Sequence, residues 1–344
     1  MPGTELLELF KLRSFLLFVF YFQAVCFCQV YPDSKVDSLL RTGINSLILQ
    51  NYIQAENTFA VLNLKYSQLP FGKIYLAAVQ IAKSYDYGED YNESSIDSLL
   101  NSAKEQSEKI LDENENNIWN KYFLSLSEGY YAYFKALNKD WLSALSEGAN
   151  ALTDFDDITK KDINFHEAYI AIGTFKYWKS RKTEFLDWLP GYKDEKINGI
   201  NLLEHAIRHS TYNRYLAVNS LIWIYIDQKK NTQAVGLADS ALMEYPGSRF
   251  FMWGLARAYE DINPKKSIEI YYKILNSLSH NLNHYDEIVL KHLIAQEYNK
   301  LGDKQSAIKI CNEILSTKIT DENLYSRLKN RLNRVKKLKM ELYR

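Results

Sequence analysis

The spacing of small and large residues near the C-terminal end constrains this chain more than any other feature. Residues 294–315 carry Ile294-Ala295, Tyr298, Gly302, Ala307, Cys311 and Ile314-Leu315. Such spacing describes two short helices joined by a turn. Ala295 and Ala307 are small where the helices cross closely, and Tyr298 and Ile314 are large where a neighbouring pair has to be filled. Gly302 falls at the turn, where a positive φ costs glycine least. The pattern returns upstream as Leu221-Ile222, Tyr225, Ala234, Ala238, Ala241 and Pro246, where proline ends the unit because it cannot continue a helix. Between the two lie Leu255-Ala256, Tyr259, Ile268, Tyr271-Tyr272 and Ile274-Leu275, with a turn shortened around Asn263-Pro264. Near the front, Gly43, Tyr52, Ala55, Phe59 and Leu62 repeat it, and a weaker copy is Ala132, Trp141, Ala144, Gly148 and Ala151. The predicted close-packing positions are Gly43, Ala55, Ala144, Ala234, Ala256, Ala295 and Ala307.

This spacing resembles the tetratricopeptide repeat. The resemblance implies an all-α, right-handed α-solenoid of about seven helical hairpins, closed by a C-terminal capping helix. The hairpins are expected at residues 33–67, 70–113, 116–153, 163–209, 213–244, 248–277 and 285–316, and the capping helix at 321–342. Residues 29–344 then form a single repeat domain, since each unit packs only on its neighbours. Composition agrees: 6 Pro and 13 Gly in 344 residues leave few helix breakers. No long stretch alternates apolar and polar residues as a half-buried strand would. The polar stretch from Asp86 to Ser95 is expected to be a loop with Ser94 or Ser95 as the next N-cap. Asp154-Phe155-Asp156-Asp157 is expected to break a helix.

Residues 1–28 are a separate object. Lys11 and Arg13 precede an apolar run from Phe15 to Phe27. As a helix that run spans roughly 20 Å, short of a bilayer core of about 30 Å. It fits a cleaved secretory signal better than a retained anchor, with Gln29 as the new N-terminus. The expectation is an exported protein, periplasmic or associated with a bacterial cell envelope. Cys26 and Cys28 belong to that segment, so Cys311 is left without a disulfide partner and reads as a small buried core residue.

Formal charge balances, with 42 Lys+Arg against 42 Asp+Glu, so no global field draws nucleic acid. Catalytic and cofactor motifs are missing: no glycine-rich phosphate loop, no Cys-x-x-Cys, no Gly-x-Ser-x-Gly. His205 and His209 share a helix face, but the zinc-protease glutamate between them is absent, and the pair reads as structural, with no metal expected. The chain is expected to be no enzyme and to need no cofactor.

The fourth hairpin carries a long insert, from Lys179 to Asp194, containing Phe185, Trp188, Leu189 and Tyr192. Apolar surface left in water costs about 25 cal/mol per Å². These side chains must therefore pack on the solenoid or meet a partner, and they are the candidate binding residues. Gly173, Trp178, Trp188-Leu189-Pro190-Gly191, Asp194 and Gly199-Ile200-Asn201-Leu202-Leu203 resemble part of the inclusion body clearance protein family. That resemblance implies a non-enzymatic scaffold associated with membranes and lipid-linked processes. The closing helix carries Arg327, Lys329, Arg331, Arg334, Lys336, Lys337 and Lys339 beside an apolar stripe. The reading that follows is a scaffold holding a protein or peptide on its concave face. The alternative is peripheral membrane association through residues 185–192 and the basic closing helix.

Overall fold

The computed structural model describes residues 29–278 and 283–344. The predicted signal segment lies outside the described residues. Fifteen α-helices account for the described fold: α1 (Ser34–Ile48), α2 (Tyr52–Lys65), α3 (Phe71–Asp86), α4 (Glu93–Glu113), α5 (Ile118–Leu137), α6 (Trp141–Lys161), α7 (Ala168–Lys182), α8 (Lys196–His209), α9 (Arg214–Asp227), α10 (Asn231–Glu244), α11 (Arg249–Tyr259), α12 (Pro264–Ser277), α13 (His284–Lys300), α14 (Lys304–Ser316) and α15 (Glu322–Leu342). Each helix packs on the next in the chain. Several first helices of hairpins also touch the first helix of the following pair, as α3 touches α5 and α9 touches α11. This is the all-α helical-hairpin repeat expected from the spacing.

The four hairpins with the shortest connections are joined by the same turn. Gln50, Lys139, Lys229 and Gly302 have φ of 55°, 65°, 60° and 77°. At each, the next residue's N–H reaches back to a carbonyl five positions earlier: Asn51 to Ser46, Asp140 to Lys135, Lys230 to Tyr225 and Asp303 to Tyr298. This left-handed closure satisfies carbonyls that a helix end leaves open. In three of the four the next helix starts at once, capped by the side chain of Asn51, Asp140 or Asp303.

Two local expectations are corrected. Helix α6 continues through Asp154–Asp157 to Lys161. Phe155 and Ile158 are buried there, and Lys121 pairs with both Asp154 and Asp157, so the acidic run is one face of a packed helix. The N-cap of α4 is Asn92, whose side chain accepts from the Ser95 amide, and neither Ser94 nor Ser95 caps it.

Among the small positions, Ala55, Ala234, Ala256, Ala295 and Ala307 are fully buried. At Gly43 the space of a side chain is taken by the Phe59 ring, 2.5 Å from where a Cβ would stand. Ala144 is only half-buried, in a first turn of α6 whose Trp141 and Leu142 are exposed. Cys311 is buried in α14.

Helices α7 and α8 cross with their backbones in near contact. A Cβ on Gly199 would lie 2.6 Å from the Gly173 carbonyl oxygen and 2.9 Å from the Tyr177 nitrogen. Backbone cannot yield as a flexible side chain can. Gly199→Ala should therefore cost at least about 1–3 kcal/mol through overpacking. Urea melts of variant and parent measure the difference, and coincident melts would show that the two backbones have room to spare.

Candidate functional site

A tetratricopeptide-like solenoid is expected to offer an open concave groove. Here side chains of hairpins far apart in the chain touch one another directly. Tyr31 lies edge-on to Phe71 and Trp119, at 5.4 and 5.2 Å between ring centroids, and its backbone N–H donates to Tyr212 Oη. Tyr212 in turn donates to Asp37 at 2.6 Å. The Asn213 side chain bonds Tyr75 and Tyr122, so the fifth hairpin touches the second and third at one residue. Both are held by the buried Glu167 carboxylate, which accepts from the amides of Thr211, Tyr212 and Asn213 at 2.7, 2.7 and 3.1 Å. Burial pushes the Glu167 carboxyl up, against the pull of those hydrogen bonds.

A second closure joins the loop after α3 to the far end of the chain. Asp86 pairs with the Arg249 guanidinium at the start of α11, and the Arg249 backbone N–H donates to Gln50 Oε1 of the first hairpin at 2.8 Å. Asn283 donates to the Tyr87 carbonyl. Arg327 of α15 donates to the Gly88 carbonyl at 2.8 Å and pairs with Asp90 at 2.9 Å. Gly88 has φ +58°, and a Cβ there would stand 2.4 Å from the Tyr285 ring. Arg327 is thus engaged by the protein at the surface, and Arg331 approaches His292 at 3.3 Å. Desolvation raises the phenols of Tyr85 and Tyr133, with Tyr285 acting on the first and Tyr85, Tyr91 and Tyr130 on the second.

Asp286 sits in the second closure with Oδ2 lacking a hydrogen-bond partner. Desolvation pushes its carboxyl up to about 7. Asp86 and Glu89 add to the rise, and Arg249 and Arg327 oppose it. The folded state thus holds this proton more tightly than the unfolded chain, whose carboxyl has the ordinary value of 3.8. Its stabilising effect is full below about pH 4 and is lost as pH rises towards 7. Asp286→Asn should be more stable than the parent at pH 8, and the gap should close towards pH 4. Paired thermal melts across that range test this, and a gap independent of pH would contradict it.

The insert after α7 is built differently from the interior. Its base is tied down: Arg181 bonds Asp227 and Glu184, Lys196 bonds Glu184, the Glu195 amide donates to Ser180 Oγ, and Tyr192 donates to the Ser180 carbonyl at 2.9 Å. Successive turns close it, from Leu186 N–H to Thr183, Leu189 to Leu186 and Tyr192 to Leu189. Its apolar tip faces solvent. Phe185 is 72 % exposed, Trp188 73 % and Leu189 39 %. Beside it, Trp141 and Leu142 at the start of α6 are 51 % and 85 % exposed, and Lys182 places its ammonium 4.9 Å from the centre of the Trp141 ring. Of the four candidate residues, Tyr192 is the half-buried strut and the other three are displayed. Trp141 and Leu142 were assigned no such role from the sequence, where Trp141 counted as a packing residue.

The structure also adds a third imidazole to the pair on α8. His166, just before α7, lies with its ring centre 5.0 Å from that of His205 and 4.9 Å from that of His209. His166 stands 39 residues from His205, so no local spacing could reveal it.

Comparison with solved structures places the architecture. A chain of the APC/C hetero-tetramer Cut9–Hcn1 aligns over 90% of this chain at 14% identity and a TM-score of 0.52; this chain spans half the length of that one. The fold is of the tetratricopeptide-repeat type. Two tetratricopeptide proteins align over shorter stretches. One is a thermophilic protein of Thermus thermophilus, covering 65% of this chain and 98% of that one at 16% identity and a TM-score of 0.42. The other is YrrB, described as having an unusual peptide-binding site, covering 66% and 100% at 13% identity and a TM-score of 0.43. No family model and no curated protein matches, so the resemblance of residues 173–203 to the inclusion body clearance family gains no support.

Proposed function

We propose that this chain is a non-catalytic scaffold that binds a protein or peptide partner, and that the contact is made on the outward face at Trp141, Leu142, Phe185, Trp188 and Leu189. The observation that carries this reading is the exposed aromatic tip on a hydrogen-bonded base. A rigid loop displaying Trp and Phe loses little conformational freedom when it binds, and such residues carry much of an interface's energy. Tyr31, Tyr75, Tyr122 and Asn213 are engaged in contacts between distant hairpins and are not free to line a groove for a partner. Peripheral membrane binding has less behind it. Arg327 and Arg331 of the closing helix are engaged by other parts of the chain, and no described helix is long and apolar enough to cross a membrane. Export belongs to the same proposal and rests on the apolar run before Gln29.

Phe185→Ala combined with Trp188→Ala should leave the melting temperature close to the parent's, because neither ring is buried. Retention of the partner from an envelope extract should fall by the equivalent of about 2 kcal/mol or more per anchor. Full retention by the folded double variant would remove this face as the binding site, and flotation of the parent with lipid vesicles would favour the membrane reading.

A further inference from the structure

A pocket of about 170 Å³ lies among α4, α5 and α6. Leu100 and Lys104 line it from α4, Ser127, Glu128 and Tyr131 from α5, and Glu147 from α6. Leu100 and Lys104 are four residues apart, as are Ser127 and Tyr131, so each helix turns one face to the space. Glu128 is the unusual member. It is only 7 % exposed, and its Oε1 accepts from the Lys104 ammonium at 2.9 Å, while its Oε2 has no hydrogen-bond partner. A buried carboxylate oxygen left unanswered is costly, so a donor that reached it would be favoured.

The walls decide which donor fits. The Ser127 hydroxyl donates to the Phe123 carbonyl at 2.8 Å, so towards a guest it can only accept. Glu147, half-buried, adds a second carboxylate with no ion pair among the described residues. Two carboxylates against the one Lys104 ammonium leave a negative charge in the pocket. Lys135 does not cancel it, since its ammonium sits 4.8 Å over the Tyr131 ring and 3.9 Å from Asp97. An anion is therefore repelled and a cation favoured. Among the described residues no three His, Cys, Asp or Glu side chains are placed to hold a metal ion, so the cation is an organic one. A guanidinium binds best to both oxygens of one carboxylate, and Glu128 already gives Oε1 to Lys104. An alkylammonium carries three donors and no acceptor, which suits the separate oxygens of Glu128, Glu147 and Ser127. Its methylenes can lie along Leu100 and the Tyr131 ring. At about 30 Å³ per water, the volume is that of several waters, room for an ammonium on a short alkyl chain.

We infer that the pocket among α4, α5 and α6 binds a primary alkylammonium group, held by Glu128 and Glu147. The group is either a small free amine or a lysine side chain of a bound protein. None of the residues of the outward aromatic face takes part, so this site and that face stand or fall separately.

The test is calorimetric titration of the full chain with 1,4-diaminobutane and with Nα-acetyl-lysine amide, using Nα-acetyl-norleucine amide as the uncharged control. An ammonium probe should bind at one site and the control should not. Tighter binding of the diamine would mark a free amine as the source, and tighter binding of the lysine amide a protein side chain. Glu147→Gln, at a half-buried position, should melt with the parent and weaken binding about threefold. Glu128→Gln should weaken it about tenfold or more. Lys104→Gln removes the competing ammonium and should tighten binding, which a purely structural ion pair would not do. Absence of binding by both ammonium probes, equal binding of the control, undiminished binding by folded Glu147→Gln and Glu128→Gln, or weaker binding by Lys104→Gln would overturn the inference.

Discussion

The Glu167 carboxylate is the interaction on which the interior depends. It sits at the start of α7 and accepts the amides of Thr211, Tyr212 and Asn213 at the start of α9. Those amides lie in the turn that leads into α9, whose N-cap is Asn213. Fixing them fixes two side chains that reach across the axis: Tyr212 towards Asp37 and Tyr31, and Asn213 towards Tyr75 and Tyr122. Without the carboxylate, several buried donors would lose their partner at about 1–3 kcal/mol each. One residue of the fourth hairpin thereby ties together elements from the first three hairpins and the fifth.

The second closure, around Asp86, Gly88 and Asp90, holds the other end. It gathers Arg249, Asn283 and Arg327 from three separate helical regions onto one short loop. A solenoid is ordinarily stabilised by neighbour contacts alone. Contacts at separations such as 163 and 239 residues add a constraint that couples distant repeats. Stability of the outer hairpins should then be linked to stability of the first ones.

The sequence revealed the local units and concealed how they meet. Each hairpin has a fixed internal spacing, so Ala55, Ala234, Ala256, Ala295 and Ala307 could be named from residue size alone, and the structure buries all of them. The left-handed turns at Gln50, Lys139 and Lys229 carry no glycine and gave no such signal, unlike Gly302. The acidic run at 154–157 read as a break because Lys121, its partner, lies on another helix. The axis contacts have no period at all: Glu167 with Asn213, Asp86 with Arg249 and His166 with His205 are separations set by the winding of the whole chain. For the insert, composition favoured packing on the repeats over display, and only the hydrogen bonds of Tyr192 and Glu195 with Ser180 show which side chains are struts.

The central claim is that the solenoid closes on itself through the loop after α3. It is tested most directly by the distance between spin labels at Glu93, just after that loop, and Tyr325 on α15, both exposed positions. Cys311 is buried and should not compete for label. Double electron–electron resonance should return one short, narrow distance distribution in solution. A broad distribution, or one centred at long distance, would mean that the ends stand apart and the concave face is open.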